Sequence, residues 1–392
     1  MFLEMTKERN HKLIEVSTDL HQQGVISPNT YVLDLDTVKN NAMLLDEEAK
    51  KQDIELLFMT KQFGRNPVVA NAIVEAGIQK AVAVDPWEAI TLSNANIQIG
   101  HVGHIVQIPK KMIPTILNLN PDYITVFSYE NAKNISDTAI RLGKIQKVYL
   151  RIANDDDYIY NGQEGGFSLK SLKDNVKKIE QLQGIQIAGL TSFPCLLIQN
   201  SQPIATSNVK SMQKAKQFLI KRGHHDLEMN MPSATSTASL ELLKQLGATQ
   251  GEPGHALTGT TPIHAIKSLK EKPAMVYVSE VSHVYNNKSY VFGGGFYPRS
   301  HMKHALVGSN FQQMKKVSAI ENEPSSIDYY GGLDTSEVNV GDTAIFAFRT
   351  QMFVTNAQIA IIENLKNSPR LIGIYDTFGN LLTDNVNTSV KK

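Results

Sequence analysis

Hydrophobic and polar positions fall into three textures along the chain. In residues 6–23, Leu13, Val16 and Leu20 recur at helical spacing and Gly24 follows as a stop, which predicts an N-terminal helix. From Thr30 onward, short β-rich runs alternate with longer amphipathic stretches. The predicted strands are 30–36, 54–61, 80–85, 99–106, 123–128, 147–153, 185–193 and 227–233, and the run 248–259 is a candidate to close the set. Helices are predicted at 37–51, 67–76, 129–142, 169–182, 206–222 and 235–246. Many of the strands are nearly continuous apolar runs, as in a parallel sheet buried on both faces. Roughly eight such units over about 230 residues fit an α/β architecture of the (β/α)8 barrel kind. A doubly wound sheet has the same rhythm, and periodicity does not separate the two.

Past Pro262 helical periodicity is scarce. AMVYVSEVSHVYN, KSYVFGGGFYP, HALVGS, GDTAIFAFRT and RLIGIYD look like short strands split by Gly, Asn and Pro. The charged stretch KSLKEKP near 265–272 marks a boundary. The expected organisation is a helical arm over 1–29, a barrel over 30–266 and a mostly-β C-terminal domain over 267–392.

Composition narrows the function classes. The 392 residues carry 39 Lys plus Arg against 38 Asp plus Glu, a net charge of +1. That balance argues against a nucleic-acid partner held by phosphate neutralisation, and it leaves no polybasic patch for a membrane. The single cysteine, Cys195, excludes a disulfide within the chain and any Cys-rich zinc site. Together with a polar N-terminus and no long apolar run, it leads us to expect a reducing, cytoplasmic home. We read Cys195 itself as a small packing residue.

Two places carry candidate chemistry. Lys61 ends the apolar run LLFMTK. It is either a surface lysine or an amine at the mouth of the sheet, where desolvation and nearby cations make a Schiff-base nucleophile. MNMPSATS (229–236) and GEPGHALTG (251–259) sit on the last two predicted strands. Ser233, Ala234 and Thr235 are expected to open a helix whose N-terminal amides bind phosphate, and Gly254 to let backbone approach a ligand. A lysine and a phosphate cradle on one barrel point to pyridoxal phosphate. For His101 and His104, strand alternation sends residues three apart to opposite faces, so no shared metal is expected. His224 and His225 are read as a polar pair at a helix end, and Asp155–Asp157 as a solvated loop.

Over residues 30 to about 385 the order of motifs resembles the fold-type III pyridoxal-phosphate enzymes, the group of alanine racemases and basic-amino-acid decarboxylases. The chain looks most similar to bacterial proteins labelled predicted amino-acid racemases. YVLDLDTVKNNAMLL resembles the group's opening strand and helix. FMTKQFGRNP resembles its cofactor-lysine strand, which implies Lys61 as the lysine in imine linkage. VYLRIANDDD resembles the decarboxylase strand carrying an arginine, here Arg151. AGLTSFP, with Ser192, resembles the strand beneath the cofactor ring. NMPSAT resembles the phosphate-binding serine turn, implying Ser233 and Thr235, and GEPGHALTG resembles the closing phosphate loop, implying Gly254 and His255.

The chain departs from that pattern in several places. Alanine racemases carry Arg-Pro-Gly where this chain has Glu252-Pro253-Gly254; a carboxylate there, as in the decarboxylases, keeps a proton on the pyridine nitrogen. Both subgroups place a histidine under the ring, whereas this strand offers Thr191, Ser192 and Phe193. Arg65 stands where the racemases have a phosphate-touching tyrosine, which implies contact with phosphate or a substrate carboxylate. The resemblance further implies a homodimer whose β domain lends a second acid/base to the partner's site; Tyr297 in VFGGGFYPRSH is the candidate, with Arg299 and His301 its weaker neighbours. A plain β-turn explains the same glycines. The resulting expectation is an amino-acid racemase working through a lysine-bound imine and a Cα carbanion on a small-molecule substrate. A decarboxylase or D-amino-acid aldolase or dehydratase is the runner-up, and a non-catalytic pyridoxal-phosphate carrier the third reading.

Overall fold

A computed structural model of the chain describes residues 1–296, 300, 302–323, 325–352 and 355–384. They divide into two compact units. One comprises Met43–Thr60 and Ile73–Gly254; the other comprises Met1–Ala42, Lys61–Ala72 and the described residues from His255 onward.

The strands of the first half, in chain order, are β1 (Thr30–Asp34), β2 (Glu55–Met59), β3 (Lys80–Ala83), β4 (Gln98–Val102), β5 (Tyr123–Val126), β6 (Gln146–Arg151), β7 (Ile185–Thr191), β8 (Leu196–Gln199), β9 (Gln202–Ala205), β10 (Glu228–Asn230) and β11 (Gln250–Gly251). β2 to β7, β10 and β11 form a closed parallel barrel. The closing contacts are short: Asn230 pairs with Gln250, and Gln250 with Glu55. The doubly wound alternative is thereby settled in favour of the (β/α)8 barrel. After their first one or two residues the strands from β2 to β7 are buried throughout, because helices cover the outer face and packed side chains fill the inside.

The strand predicted over 30–36 is a correction. β1 is not a barrel strand; it pairs antiparallel with the 275–285 strand (Tyr31 with Tyr277) and parallel with the 358–363 strand (Tyr31 with Ile359). The run 248–259 supplies the eighth barrel strand instead. All five β1 residues are buried, so its apolar run suits the centre of either sheet, and pairing alone decides.

The helices are α1 (Phe2–Arg9), α2 (His11–Gln22), α3 (Leu35–Lys51), α4 (Pro67–Glu75), α5 (Pro86–Asn94), α6 (Ile113–Asn118), α7 (Tyr129–Arg141), α8 (Leu169–Ile179), α9 (Ser207–Ile220) and α10 (Leu240–Gln245). The single helix predicted over 6–23 is two, broken at Asn10, whose φ of −152° and ψ of 50° are not helical. α5 and α6 were not predicted. α5 starts because the Asp85 side chain accepts from Glu88 N at 2.8 Å and Pro86 occupies the first turn. α10 begins at Leu240 rather than 235, so Ser233–Thr235 form a turn and not a helix N-terminus.

In the other unit, β12 (Met275–Tyr285), β13 (Lys288–Phe292), β14 (His304–Gly308), β15 (Lys315–Ile320), β16 (Tyr330–Leu333), β17 (Thr343–Phe346), β18 (Gln358–Glu363), β19 (Arg370–Asp376) and β20 (Leu381–Asp384) join β1 in a ten-stranded sheet among the described residues. β12 pairs with both β17 and β13 across a bulge between Val281 and His283, which closes six strands into a ring. β15, β16, β18 and β20 escaped prediction. β15 is largely exposed and charged at its start, and β16 contains Gly331 and Gly332. Leu13, Ile14, Val16 and Leu20 of α2 pack on Val276, Val278, Ile345 and Ala360 of the sheet. The residues expected to form an arm are thus part of this unit's core. No helix among the described residues is long and apolar enough to cross a membrane.

Candidate functional site

The barrel's chemistry gathers at the C-terminal ends of its strands, the usual site-bearing face of this architecture. Glu252 follows β11 directly and is 4% exposed. Its Oε1 accepts from Asn230 Nδ2 at 2.9 Å and lies 2.8 Å from His101 Nδ1. A carboxylate only accepts, so His101 carries its proton on Nδ1 in this bond. Asn230 ends β10, and Thr191, ending β7, donates to its Oδ1 at 2.8 Å, so the amide nitrogen faces Glu252. His101 Nε2 is 2.6 Å from Thr125 Oγ1. Glu252 N donates to Thr235 Oγ1 at 3.2 Å, tying the loop to the 233–235 turn.

Glu252 Oε2 has no hydrogen-bond partner among the described residues, and His104 Nε2 is 3.8 Å away. Burial alone would push this carboxyl up. The charges of His104 and His101, with the bonds from His101 and Asn230, outweigh it and hold the group down to about 2. The reading that sent His101 and His104 to opposite faces is a correction. β4 ends at Val102, and Gly103 turns with φ +84°, which swings His104 back toward Glu252. The ligand atoms of His101, His104 and Glu252 lie within 4.8 Å of one another, close enough to share a metal ion. Below the cluster, Tyr149 stands 5.2 Å from the His101 ring and donates to Gln250 Oε1 at 2.7 Å. His104 meets the Phe193 ring edge-on at 5.2 Å.

Arg151, the last residue of β6, is 1% exposed. Its Nη2 donates to Gln163 O at 2.6 Å and its guanidinium lies 4.5 Å from the centre of the Phe127 ring. Nε and Nη1 have no partner among the described residues. Burial lowers its pKa to about 10, with Glu164 acting against that, so it stays charged at neutral pH.

Other predicted residues have structural partners. Ser192 Oγ donates to Ile152 O at 2.7 Å and accepts from Asn208 at 3.1 Å. Ser233 Oγ donates to Leu196 O at 2.7 Å. The 233–234 backbone instead turns through successive positive φ values of 97° and 53°. Cys195 is fully buried with Sγ 3.2 Å from Ser192 O, and burial raises its pKa. Gly254 is buried.

In the other unit, Lys61 opens the 3-10 turn Lys61–Phe63, two residues past the end of β2. Gly64 and Arg65 follow with φ of +68° and +54°. Arg65 is 5% exposed and lies 5.7 Å from the Phe378 ring centre. Arg349 Nε donates to His255 Nε2 at 3.1 Å, and His255 Nδ1 is 3.2 Å from Thr260 Oγ1. An arginine only donates, so this nitrogen of His255 is unprotonated. Burial first, then the charges of Arg349 and Lys61, push its pKa well below the ordinary 6.5. Tyr297, Arg299 and His301 lie outside the described residues. The glycines before them sit against close neighbours: a Cβ on Gly293 would stand 2.6 Å from Asp328 O, and one on Gly295 2.2 Å from the Tyr277 ring.

Sequence reasoning missed Thr125 and Arg349, quoted Asn230 and Thr191 without giving them a role, and gave His101 no role beside Glu252. Asn230 is the first residue of the quoted NMPSAT motif. Arg349 follows an apolar run, AIFAFR, as Lys61 follows LLFMT.

Residues 33–262 match the family described as alanine racemase, N-terminal domain, and residues 276–371 match the YhfX-like C-terminal domain. The uncharacterized protein YhfX of Escherichia coli (strain K12) is 41% identical over 386 residues, covering 97% of this chain and 100% of that protein. Alanine racemase of Clostridium difficile 630 is 15% identical with a TM-score of 0.64, over 90% of this chain and 99% of that one. D-threonine aldolase from Filomicrobium marinum is 13% identical with a TM-score of 0.68, over 91% and 95%. At those identities the structures share the fold. The barrel and its residue match, taken with the full-length relative, make the chain a member of the alanine racemase N-terminal-domain family, with a YhfX-like C-terminal domain and the fold of the fold-type III pyridoxal-phosphate enzymes.

Proposed function

We propose that the chain is a pyridoxal-phosphate-dependent amino-acid racemase. The observation that carries the cofactor assignment is a complementary pair of unmet groups inside the barrel. Glu252 Oε2 is an ionised acceptor without a donor, and Arg151 Nε and Nη1 are charged donors without an acceptor. A planar ring with a protonated nitrogen and an anionic oxygen offers both, and leaving such buried groups unmet costs about 1–3 kcal/mol each. The residues fit pyridoxal phosphate.

Lys61 is assigned to hold the cofactor and, when released, to carry a proton to or from the substrate Cα on one face. Glu252 would hold a proton on the ring nitrogen, and Arg151 would donate to the ring's anionic oxygen. The turn at Ser233 and Ala234, with Thr235, Gly254 and His255, is assigned to the phosphate. Arg65 is assigned to phosphate or a substrate carboxylate, and Ser192 to fixing the strand beneath the ring. Tyr297 of a partner subunit is assigned the opposite face of Cα, which makes a homodimer part of the proposal. When bound, pyridoxal phosphate supplies an electron sink that acidifies the substrate Cα–H.

Glu252 also favours a second reading. A firmly protonated ring is a stronger sink than racemisation requires, and it would serve a decarboxylase, or an aldolase or dehydratase of D-amino acids, acting on the same bound substrate. A panel of single-enantiomer amino acids in deuterated water separates the readings. Solvent deuterium at Cα with loss of optical rotation supports racemisation. Carbon dioxide or aldehyde release supports the lyase. Absence of exchange with every amino acid supports a carrier that only binds the cofactor. For the lysine, borohydride treatment of the loaded protein followed by peptide mapping is expected to place a pyridoxyl group on Lys61, and Lys61→Ala is expected to abolish it. A label elsewhere would remove Lys61 from its role.

A further inference from the structure

We propose that His101 and Asn230 are positioning residues that lock one oxygen of Glu252, aim the other, and thereby set the protonation of the cofactor ring. The inference rests on the pyridoxal-phosphate reading above and goes beyond it by naming what makes Glu252 competent.

A lone carboxylate has two equivalent oxygens and a freely rotating terminal torsion. Here the two oxygens differ. Oε1 takes two hydrogen bonds, from His101 Nδ1 at 2.8 Å and Asn230 Nδ2 at 2.9 Å. Oε2 takes none among the described residues. Both donors are themselves fixed. Asn230 is oriented by Thr191 Oγ1 at 2.8 Å, and His101 by Thr125 Oγ1 at 2.6 Å on its far nitrogen. Each of these residues is 0–1% exposed, so water does not replace a lost donor. The chain of bonds ties four barrel strands, β4, β5, β7 and β10, to the residue after β11. Rotation of the carboxyl would break two bonds at once, so Oε2 stays the oxygen without a hydrogen bond. The His101 proton also matters electrically. Two donors on Oε1 stabilise the carboxylate over the carboxylic acid, so a proton shared between Glu252 and a ring nitrogen resides on the nitrogen. His104, 3.8 Å from Oε2, adds to the same bias.

The test uses the full-length protein loaded with pyridoxal phosphate carrying 15N in the ring, read by the nitrogen chemical shift at one neutral pH. The wild type is expected to show a pyridinium nitrogen. His101→Leu removes the donor and is expected to move the signal toward neutral pyridine, with activity reduced roughly tenfold to a hundredfold, as for lost outer-shell partners. His101→Asn keeps a donor where Nδ1 stood and is expected to restore the pyridinium signal. His101→Gln, whose amide reaches the Nε2 position and Thr125, is expected not to. A merely structural histidine would not separate Asn from Gln in the shift. Should His101→Leu fail to fold, the Asn and Gln pair still decides. A pyridinium signal in both Leu and Gln variants overturns the inference while leaving the cofactor reading intact. Failure of the wild type to take up pyridoxal phosphate overturns both. In the protein free of cofactor, a His101 Nδ1 proton that is protected from exchange and lost in Glu252→Ala is expected; its absence in wild type overturns the inference whatever the cofactor does.

Discussion

Glu252 and His255 are held in opposite charge states by the same physical quantities. Glu252 is buried but receives two donors and the field of two histidines, so its pKa falls from 4.5 to about 2. His255 is a base whose burial, and then the charges of Arg349 and Lys61, lower its pKa well below 6.5, so it stays neutral. Both folded values lie below the unfolded ones, and both groups therefore contribute stability that is present at higher pH and lost on acidification. For His255 the loss begins as pH drops through about 6.5. For Glu252 it begins near 4.5 and runs to about 2. Urea unfolding measured from pH 7 to 3 is expected to show stability declining in those two steps, with Glu252→Gln flattening the step below about pH 4.5. The same variant is expected to lower turnover at neutral pH by about a hundredfold or more. Full activity in Glu252→Gln would remove the carboxylate from the chemistry.

At the scale of elements, the short strands do more for the site than the long ones. β11 has two residues and β10 three, yet they close the barrel and deliver Glu252 and Asn230. Their predicted extents, 248–259 and 227–233, were too long because the site loops that follow them are also apolar and buried. α2 contributes through packing. Leu13 is fully buried against the ten-stranded sheet, and Leu13→Ala is expected to cost about 2–5 kcal/mol of stability, read as a shift of the urea midpoint. A cost under about 1 kcal/mol would mean that the helix is not integral to that unit. β1 was assigned to the wrong sheet because five consecutive buried residues carry no mark of their neighbour; the rhythm of elements around it was legible, its pairing was not.

For the whole molecule, the assembly proposal makes Lys61 and Tyr297 work in different subunits. Mixing Lys61→Ala with Tyr297→Phe subunits, each inactive alone, is expected to restore about a quarter of wild-type exchange, since random pairing gives half heterodimers with one intact site each. No restoration, in mixtures whose heterodimer content is checked by mass spectrometry, would place both groups in one subunit or remove Tyr297.

Arg151 and Glu252 came only from the family resemblance; the one-dimensional order of residues determined the alternation of strands and helices, the break after Pro262, the single cysteine and the place of Lys61 at the end of an apolar run. Those features follow from local periodicity and from residue types at run boundaries, which the chain states directly. Tertiary structure alone decided that the alternating part closes as a barrel, that β1 leaves it, and that His101 and His104 converge on Glu252. Each of these depends on partners far away in the chain: 151 positions separate His101 from Glu252, and one left-handed glycine between two histidines undoes the alternation that strand geometry would impose.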